Sequence, residues 1–219
     1  MLRLHIAALL PIKIVKVFFS KAQRFKLYKA SFIGMVPTSM PSNVWHRKNS
    51  FVACLISAVA AAHGVSNITT TCAPAEKLPF EDGYFDAVFC RFTTHHWNDL
   101  VAGLREAHRV LAPDGTAMFI DVTSRALPTA DTWLQALELL RDVSHGRNYS
   151  CVEWERMLKT VGFSITETMS HTLRMEFPSW VARTKTPALH IKAIRVLQDV
   201  APDTVRTALG IEPDGSFSR

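Results

Sequence analysis

Between a turn signal at Asp82-Gly83 and a helical stripe that begins at Leu100, the chain carries a nearly unbroken apolar run, Ala87-Val88-Phe89-Cys90, inside residues 85–92. A strand that is apolar on both faces must be covered on both faces, which is the situation in a parallel sheet flanked by helices. The segments that follow fit this requirement. Leu100, Leu104, Ala107 and Leu111 recur at helical spacing, with Asn98 or Asp99 available as the cap. Pro113-Asp114-Gly115 interrupts that helix, and residues 116–122 form a second apolar strand. Trp133, Ala136, Leu137 and Leu140 mark another helix. Ser150 and Glu153 have the spacing of a capping box for the next one, with Val152, Met157, Leu158 and Val161 expected inward and Gly162 as the stop. Residues 163–168 and 172–177 are predicted as late strands. Residues 188–200 are predicted as a final helix whose stripe runs through Ile191, Ile194 and Leu197 or Gln198. Strand and helix in alternation predict an α/β fold, a Rossmann-like doubly wound sheet.

The charge distribution divides the chain. Nine basic residues and no acid precede Glu76, whereas roughly one residue in eight is acidic in an average protein. From Glu76 onward sixteen basic residues face nineteen acids. Residues 1–57 are therefore read as an atypical basic segment and residues 58–219 as the organised part. In the latter, Ala58 to His63 ends a helix at Gly64, and residues 67–71 form a short β-rich run. Pro11, Lys13 and Lys16 interrupt the apolar start, which excludes a secretory signal or a membrane-spanning helix there. An organellar presequence and a basic arm for nucleic acid or anionic lipid both match the composition. The reading preferred is a segment produced by a shifted reading frame or a misjudged start, and no nucleic-acid partner is expected. The four cysteines, Cys54, Cys72, Cys90 and Cys151, form no close pair, which points to reduced thiols in a cytoplasmic protein and to no metal site.

In a doubly wound sheet ligands bind beyond the carboxyl ends of the strands. Three loops leave those ends: Cys72 to Phe80, Arg91 to Trp97, and the residues after Asp121. The pattern Ala75-Glu76-x-Leu78-Pro79-Phe80-x-Asp82-x-x-Phe85-Asp86, then His95-His96-Trp97, then Leu104 to Gly115, resembles the class I S-adenosylmethionine-dependent methyltransferases. Within them it is most similar to the ubiquinone/menaquinone-biosynthesis C-methyltransferase-like group. Residues 142–154, and Trp180-Val181-Ala182-Arg183 with Thr186-Pro187, are similar to a bacterial subgroup of that family.

The resemblance implies S-adenosylmethionine as cofactor and a small-molecule, quinone-like methyl acceptor. It implies that the Ala75 amide, with Pro74 beside it and Glu76 next, meets the adenine. Pro74 stands where many relatives carry an acid that bonds the adenine amino group. Arg91 would border the methionine end, and His95, His96 and Trp97 would wall the acceptor. His95 or His96 is the candidate acid–base group; the alternative is that one caps the next helix and the other packs. Arg91 has the alternative of a surface ion pair with Glu81 or Asp99. His108 and Arg109 are expected to be solvated, and His145 and Arg147 are candidates for a lid over the acceptor.

The chain also departs from that family. A glycine-rich loop after strand 1 and an acid after strand 2 are expected, yet Gly34 and Gly64 are the only glycines before Gly83, and no acid precedes Glu76. Strands 1 and 2 are thus expected to be missing or replaced. In the family sheet order, 3-2-1-4-5-7-6, their loss would leave the apolar edge of the 85–92 strand open, an aggregation hazard.

Overall fold

The computed structural model describes residues 3–5, 29–33, 71 and 73–218. Expectations for the segments around Ala58 to Gly64 and 67–70, and for Cys54 and Cys72, fall outside these residues. The chain divides into two compact units, Met1–Asp121 and Val122–Arg219.

The first unit holds a four-stranded sheet in which β1 (Arg3–His5), β2 (Lys29–Ile33), β3 (Phe85–Arg91) and β4 (Leu111–Ile120) lie side by side in that order, all parallel. β3 is the strand predicted from the apolar run; Phe85, Ala87, Val88 and Cys90 are all buried. Its far edge is not open, contrary to the expectation from the missing strands. Lys29–Ile33 pairs along it, with Ala30 opposite Ala87 and Ile33 opposite Cys90. A parallel ladder is made by main-chain groups, so a segment with the wrong letters for a cofactor loop still serves as a strand.

α1 (Leu100–Val110) joins β3 to β4. Asp99 is its N-cap and accepts from Ala102 N at 2.9 Å, and Leu100, Leu104 and Ala107 face the core as predicted. Leu111 instead begins β4. Pro113-Asp114-Gly115 is absorbed as an irregularity in that strand: Phe85 pairs with Leu111, but Ala87 pairs with Thr116. Asp114 takes a positive φ of 61°, and a Cβ on Gly115 would lie 2.8 Å from the Ala112 carbonyl oxygen.

The second unit is mainly helical. α2 (Pro128–Arg141) starts with proline in its first turn, and α3 (Cys151–Thr160) carries the predicted capping box in full. Trp154 and Met157 are the buried residues of α3, whereas Val152 is exposed, against expectation. Residues 163–168 form no strand, and the second late strand shrinks to β5 (Arg174–Met175), antiparallel to β6 (Phe217–Ser218). Phe177 already belongs to α4 (Phe177–Arg183), and α5 (Ala188–Asp199) is followed by α6 (Asp203–Leu209) rather than being last. Leu134, Leu137, Trp180, Ile194, Val205, Leu209 and Phe217 make one core. Gln198 sits in the buried stripe of α5 because its amide is satisfied there, donating to Gly215 O at 2.9 Å and accepting from Arg195 at 2.9 Å. No helix of the described residues is long and apolar enough to cross a membrane.

Candidate functional site

The chain leaves β3 through Arg91 and reverses at Phe92, which takes a left-handed φ of 51° while its N–H donates to Ile120 O at 2.7 Å. A large side chain in that region stores strain of about 1–3 kcal/mol, which neighbouring contacts must offset. The reversal leads directly into a one-turn 3₁₀ helix, Thr94–His96.

That turn is held by Asp121, the residue after β4. Its Oδ2 accepts from the N–H of Thr94 at 2.8 Å, from the Thr94 hydroxyl, and from the N–H of His95 at 3.3 Å. Its Oδ1 lies 2.6 Å from His95 Nδ1. The Asp121 carboxylate is almost fully buried, at 2 % exposure, and the His95 ring is mostly so, at 12 %. A carboxylate only accepts hydrogen bonds, so Nδ1 is the protonated nitrogen of His95. His96 lies against it with ring centroids 4.2 Å apart. Neither histidine caps the following helix; Asp99 does.

Glu76 brings the first loop to the same edge. Its Oε1 accepts from the N–H of Asn98 at 2.9 Å and of Asp99 at 3.3 Å. Its Oε2 is buried without a hydrogen-bond partner among the described residues, as is Nε1 of the buried Trp97. Ala75 is fully buried, and Pro74 O accepts from Lys77 N at 3.2 Å in a tight turn. Arg91 is exposed, with its guanidinium 4.6 Å from the centre of the Phe92 ring; the ion pair with Glu81 or Asp99 is not formed.

Arg109 was expected in solvent and is instead a clamp. It donates to Phe80 O at 2.8 Å, Leu78 O at 3.0 Å and Asp82 Oδ1 at 2.8 Å, and pairs with Glu106 at 2.7 Å. Cys90 is buried beside Thr93 Oγ1 at 2.9 Å; burial pushes its thiol pKa far up, which removes it as a nucleophile.

In the second unit His145 bonds Gln135 at 2.8 Å, and Arg147 bonds Asp131 at 3.3 Å, so both lid candidates brace their own loop.

Sequence reasoning did not single out Asp121 or Thr94. The available signal was an acid at the carboxyl end of an apolar parallel strand. Among the described residues no group of three or more His, Cys, Asp or Glu is placed to hold a metal ion.

Comparisons with known proteins bear on the family. A family described as a methyltransferase domain matches residues 48–119. The uncharacterized protein YafE of Escherichia coli is 42% identical over 164 residues, which cover 75% of this chain and 79% of that protein. The crystal structure of YcgJ from Bacillus subtilis superimposes with a TM-score of 0.75 at 28% identity, over 87% of this chain and 77% of that one. The chain belongs to the class I S-adenosylmethionine-dependent methyltransferases. By sequence, this methyltransferase is 34% identical to YcgJ, an uncharacterized methyltransferase, over 150 residues, but spans only 59% of that protein's length. A ubiquinone/menaquinone biosynthesis C-methyltransferase, UbiE of Citrifermentans bemidjiense, is 41% identical over 61 residues, or 26% of its length.

S-adenosylmethionine is the cofactor of this class. The orphaned oxygen of Glu76 and the orphaned indole N–H of Trp97 fit a polar molecule lying over this edge, because a buried group without a partner costs about 1–3 kcal/mol until one arrives. The fit concerns the loops after residue 71; the stretch before Glu76 has no acid for a ribose.

Proposed function

We propose that this methyltransferase acts on a small, quinone-like acceptor in the cytoplasm, with His95 or His96 as the acid–base group. The observation that carries the reading is the His95–Asp121 contact of 2.6 Å at the carboxyl edge of β3 and β4, where the sheet presents its loops to a ligand. The likeness to UbiE over one stretch supports the acceptor class.

When bound, S-adenosylmethionine supplies a methyl group on a positively charged sulfur. On the protein side, the Ala75 amide, Pro74, Glu76 with its Oε2 unpartnered among the described residues, and Arg91 would hold it. The work of the residues is to position the acceptor in line and to remove a proton from it.

Cofactor affinity is lowered in this chain, because no glycine-rich loop and no acid precede Glu76 to hold the methionine portion and the ribose. The same absence favours a second reading, a non-catalytic remnant that serves as an interaction module. Calorimetric titration with S-adenosylmethionine, followed by transfer of a labelled methyl group to a soluble hydroquinone, separates the two. Weak binding with slow transfer at high cofactor concentration is expected. Micromolar affinity overturns the lowered-affinity claim, and binding without any transfer favours the remnant.

A further inference from the structure

We propose that the outward face of α5, widened by α2, is a contact between two copies of this chain, packed antiparallel about a twofold axis. The inference stands apart from the methyl-transfer reading and holds or fails without it.

α5 carries apolar residues on two sides. One side, with Ile194 and Gln198 buried, faces the core of its own unit. The other runs through Leu189, Ala193, Val196 and Val200, at steps of four, three and four residues. Steps that average about 3.5 residues set the four side chains in one seam along a helix. This seam points away from the core: Leu189 is 75 % exposed, Val196 59 % and Val200 64 %, with Ala193 half-buried between them. Val200 stands just past the helix, its N–H still donating to Val196 O at 3.0 Å. Half-exposed Leu139 on α2 widens the face. α2 lies alongside α5, because Trp133 Nε1 donates to Leu197 O at 3.2 Å and His190 Nδ1 donates to Leu140 O at 2.8 Å.

A single exposed leucine is ordinary, but an aligned row on one helix is not, since a solvated face normally carries the charges. The charges of α5, Lys192, Arg195 and Asp199, keep instead to one flank of the seam, at positions i, i+3 and i+7. Arg195 is taken up by its own unit: it donates to Gln198 Oε1 at 2.9 Å and to Pro213 O at 2.8 Å, and Asp199 lies 3.6 Å from it. Lys192 is exposed and has no ion pair among the described residues.

The flank chooses the occupant and its direction. In an antiparallel pair the seam closes on itself when Leu189 meets Val200 of the second copy and Ala193 meets Val196 of the second copy. A twofold axis then turns the same flank of each helix toward the other. Lys192 stands within about 3 Å, in level along the axis, of Asp199 of the second copy. Two Lys–Asp pairs thus border an aliphatic seam, the arrangement by which charges beside a helix seam select orientation. A parallel pair in register would set Lys192 against Lys192 and Asp199 against Asp199. The exposed aliphatic surface is on the order of 500 Å² per copy, the size of apolar patch that is often functional on a monomer. It is below the roughly 800 Å² per partner of a standard interface, so the association is reversible.

Sedimentation equilibrium of the full chain between about 1 and about 200 μM reads the association. The mass is expected to rise from 24.5 kDa toward twice that value. Val196→Glu alters an exposed position that the single copy tolerates, and is expected to stay at the lower mass with unchanged helical circular dichroism. Leu189→Glu tests the same seam from its other end. Lys192→Glu and Asp199→Lys are each expected to weaken association about 3–30-fold, and the double swap to restore it to within about 3-fold of the wild type.

A wild type that remains at 24.5 kDa up to about 200 μM overturns the proposal and leaves the face to another occupant. A dimer that survives both Val196→Glu and Leu189→Glu overturns it too, because the copies then meet elsewhere. Seam variants that dissociate, with a double charge swap no better than either single change, overturn the antiparallel register.

Discussion

Glu106 and Arg109, one turn apart on α1, grip Leu78 from both sides: Glu106 Oε2 accepts from its N–H at 2.8 Å, and Arg109 donates to its carbonyl at 3.0 Å. The loop that carries Pro74, Ala75 and Glu76 is thus anchored to the helix that starts just after the histidine turn. Glu76 closes the same connection from its own end, on the amides of Asn98 and Asp99.

Removal of the clamp should loosen that loop before it unfolds the unit. Arg109→Ala leaves the carbonyls of Leu78 and Phe80 without this donor and Glu106 without its partner. A loss of about 2 kcal/mol is expected from hydrogen bonds of this charged type. Urea denaturation measures the loss. Hydrogen exchange should show faster amide exchange in residues 78–83 with little change in β3.

Acid should weaken the fold through two carboxylates. The Arg109 side chain, with the amide of Leu78 assisting, holds the Glu106 carboxyl below its ordinary value of 4.5, against the opposing pull of desolvation. The amide of Ser150 does the same for Glu153 in the capping box of α3. A group with a lowered folded-state pKa stabilises fully above its unfolded value, and the benefit is lost as pH falls through the folded one. Stability measured from about pH 7 to about pH 3 should therefore be flat at first and fall below about pH 4.5. Glu106→Gln and Glu153→Gln should each flatten that acid limb; a limb unchanged in both variants would assign it to other groups.

A methyl group on Gly103 has no room. A Cβ there would sit 2.2 Å from Cε3 of Trp97, whose ring is buried against the helix. Gly103→Ala should cost about 1–3 kcal/mol, the range for overpacking. Combined with Trp97→Leu it should cost less than the sum of the two, because both changes act on one contact. Thermal denaturation of the two single variants and the double variant gives the coupling.

Thiol labelling should distinguish two cysteines. Cys90 is buried, with its pKa raised by desolvation, whereas Cys151 is exposed at the start of α3. Iodoacetamide at about pH 8 should modify Cys151 in the native protein and reach Cys90 only on unfolding, as followed by peptide mass mapping.

Much of this architecture was legible in the chain because it depends on local chemistry. The apolar run at Ala87 to Cys90 requires a strand covered on both faces; Asp99, Ser150 and Glu153 meet the needs of helix ends within a few residues; and Leu100, Leu104 and Ala107 mark a buried stripe. Short late segments were less legible. Residues 163–168 have strand-like letters but pair with no strand among the described residues, and a strand without a ladder does not place its amides. The Phe177-Pro178 pair begins a helix because proline suits a first helical turn as well as it suits a strand end.

The sequence by itself determined the fold class, the methyltransferase resemblance and the loops in which a site had to lie, since residue pattern, spacing and turn chemistry are properties of the chain. The tertiary structure alone decided that Lys29–Ile33 covers β3, that Arg109 is a clamp rather than a solvated charge, and that Asp121 meets His95. Those are relations across 26 to about 60 residues of chain, made by main-chain ladders and by the directions in which buried side chains point once the sheet has formed. No local pattern encodes them.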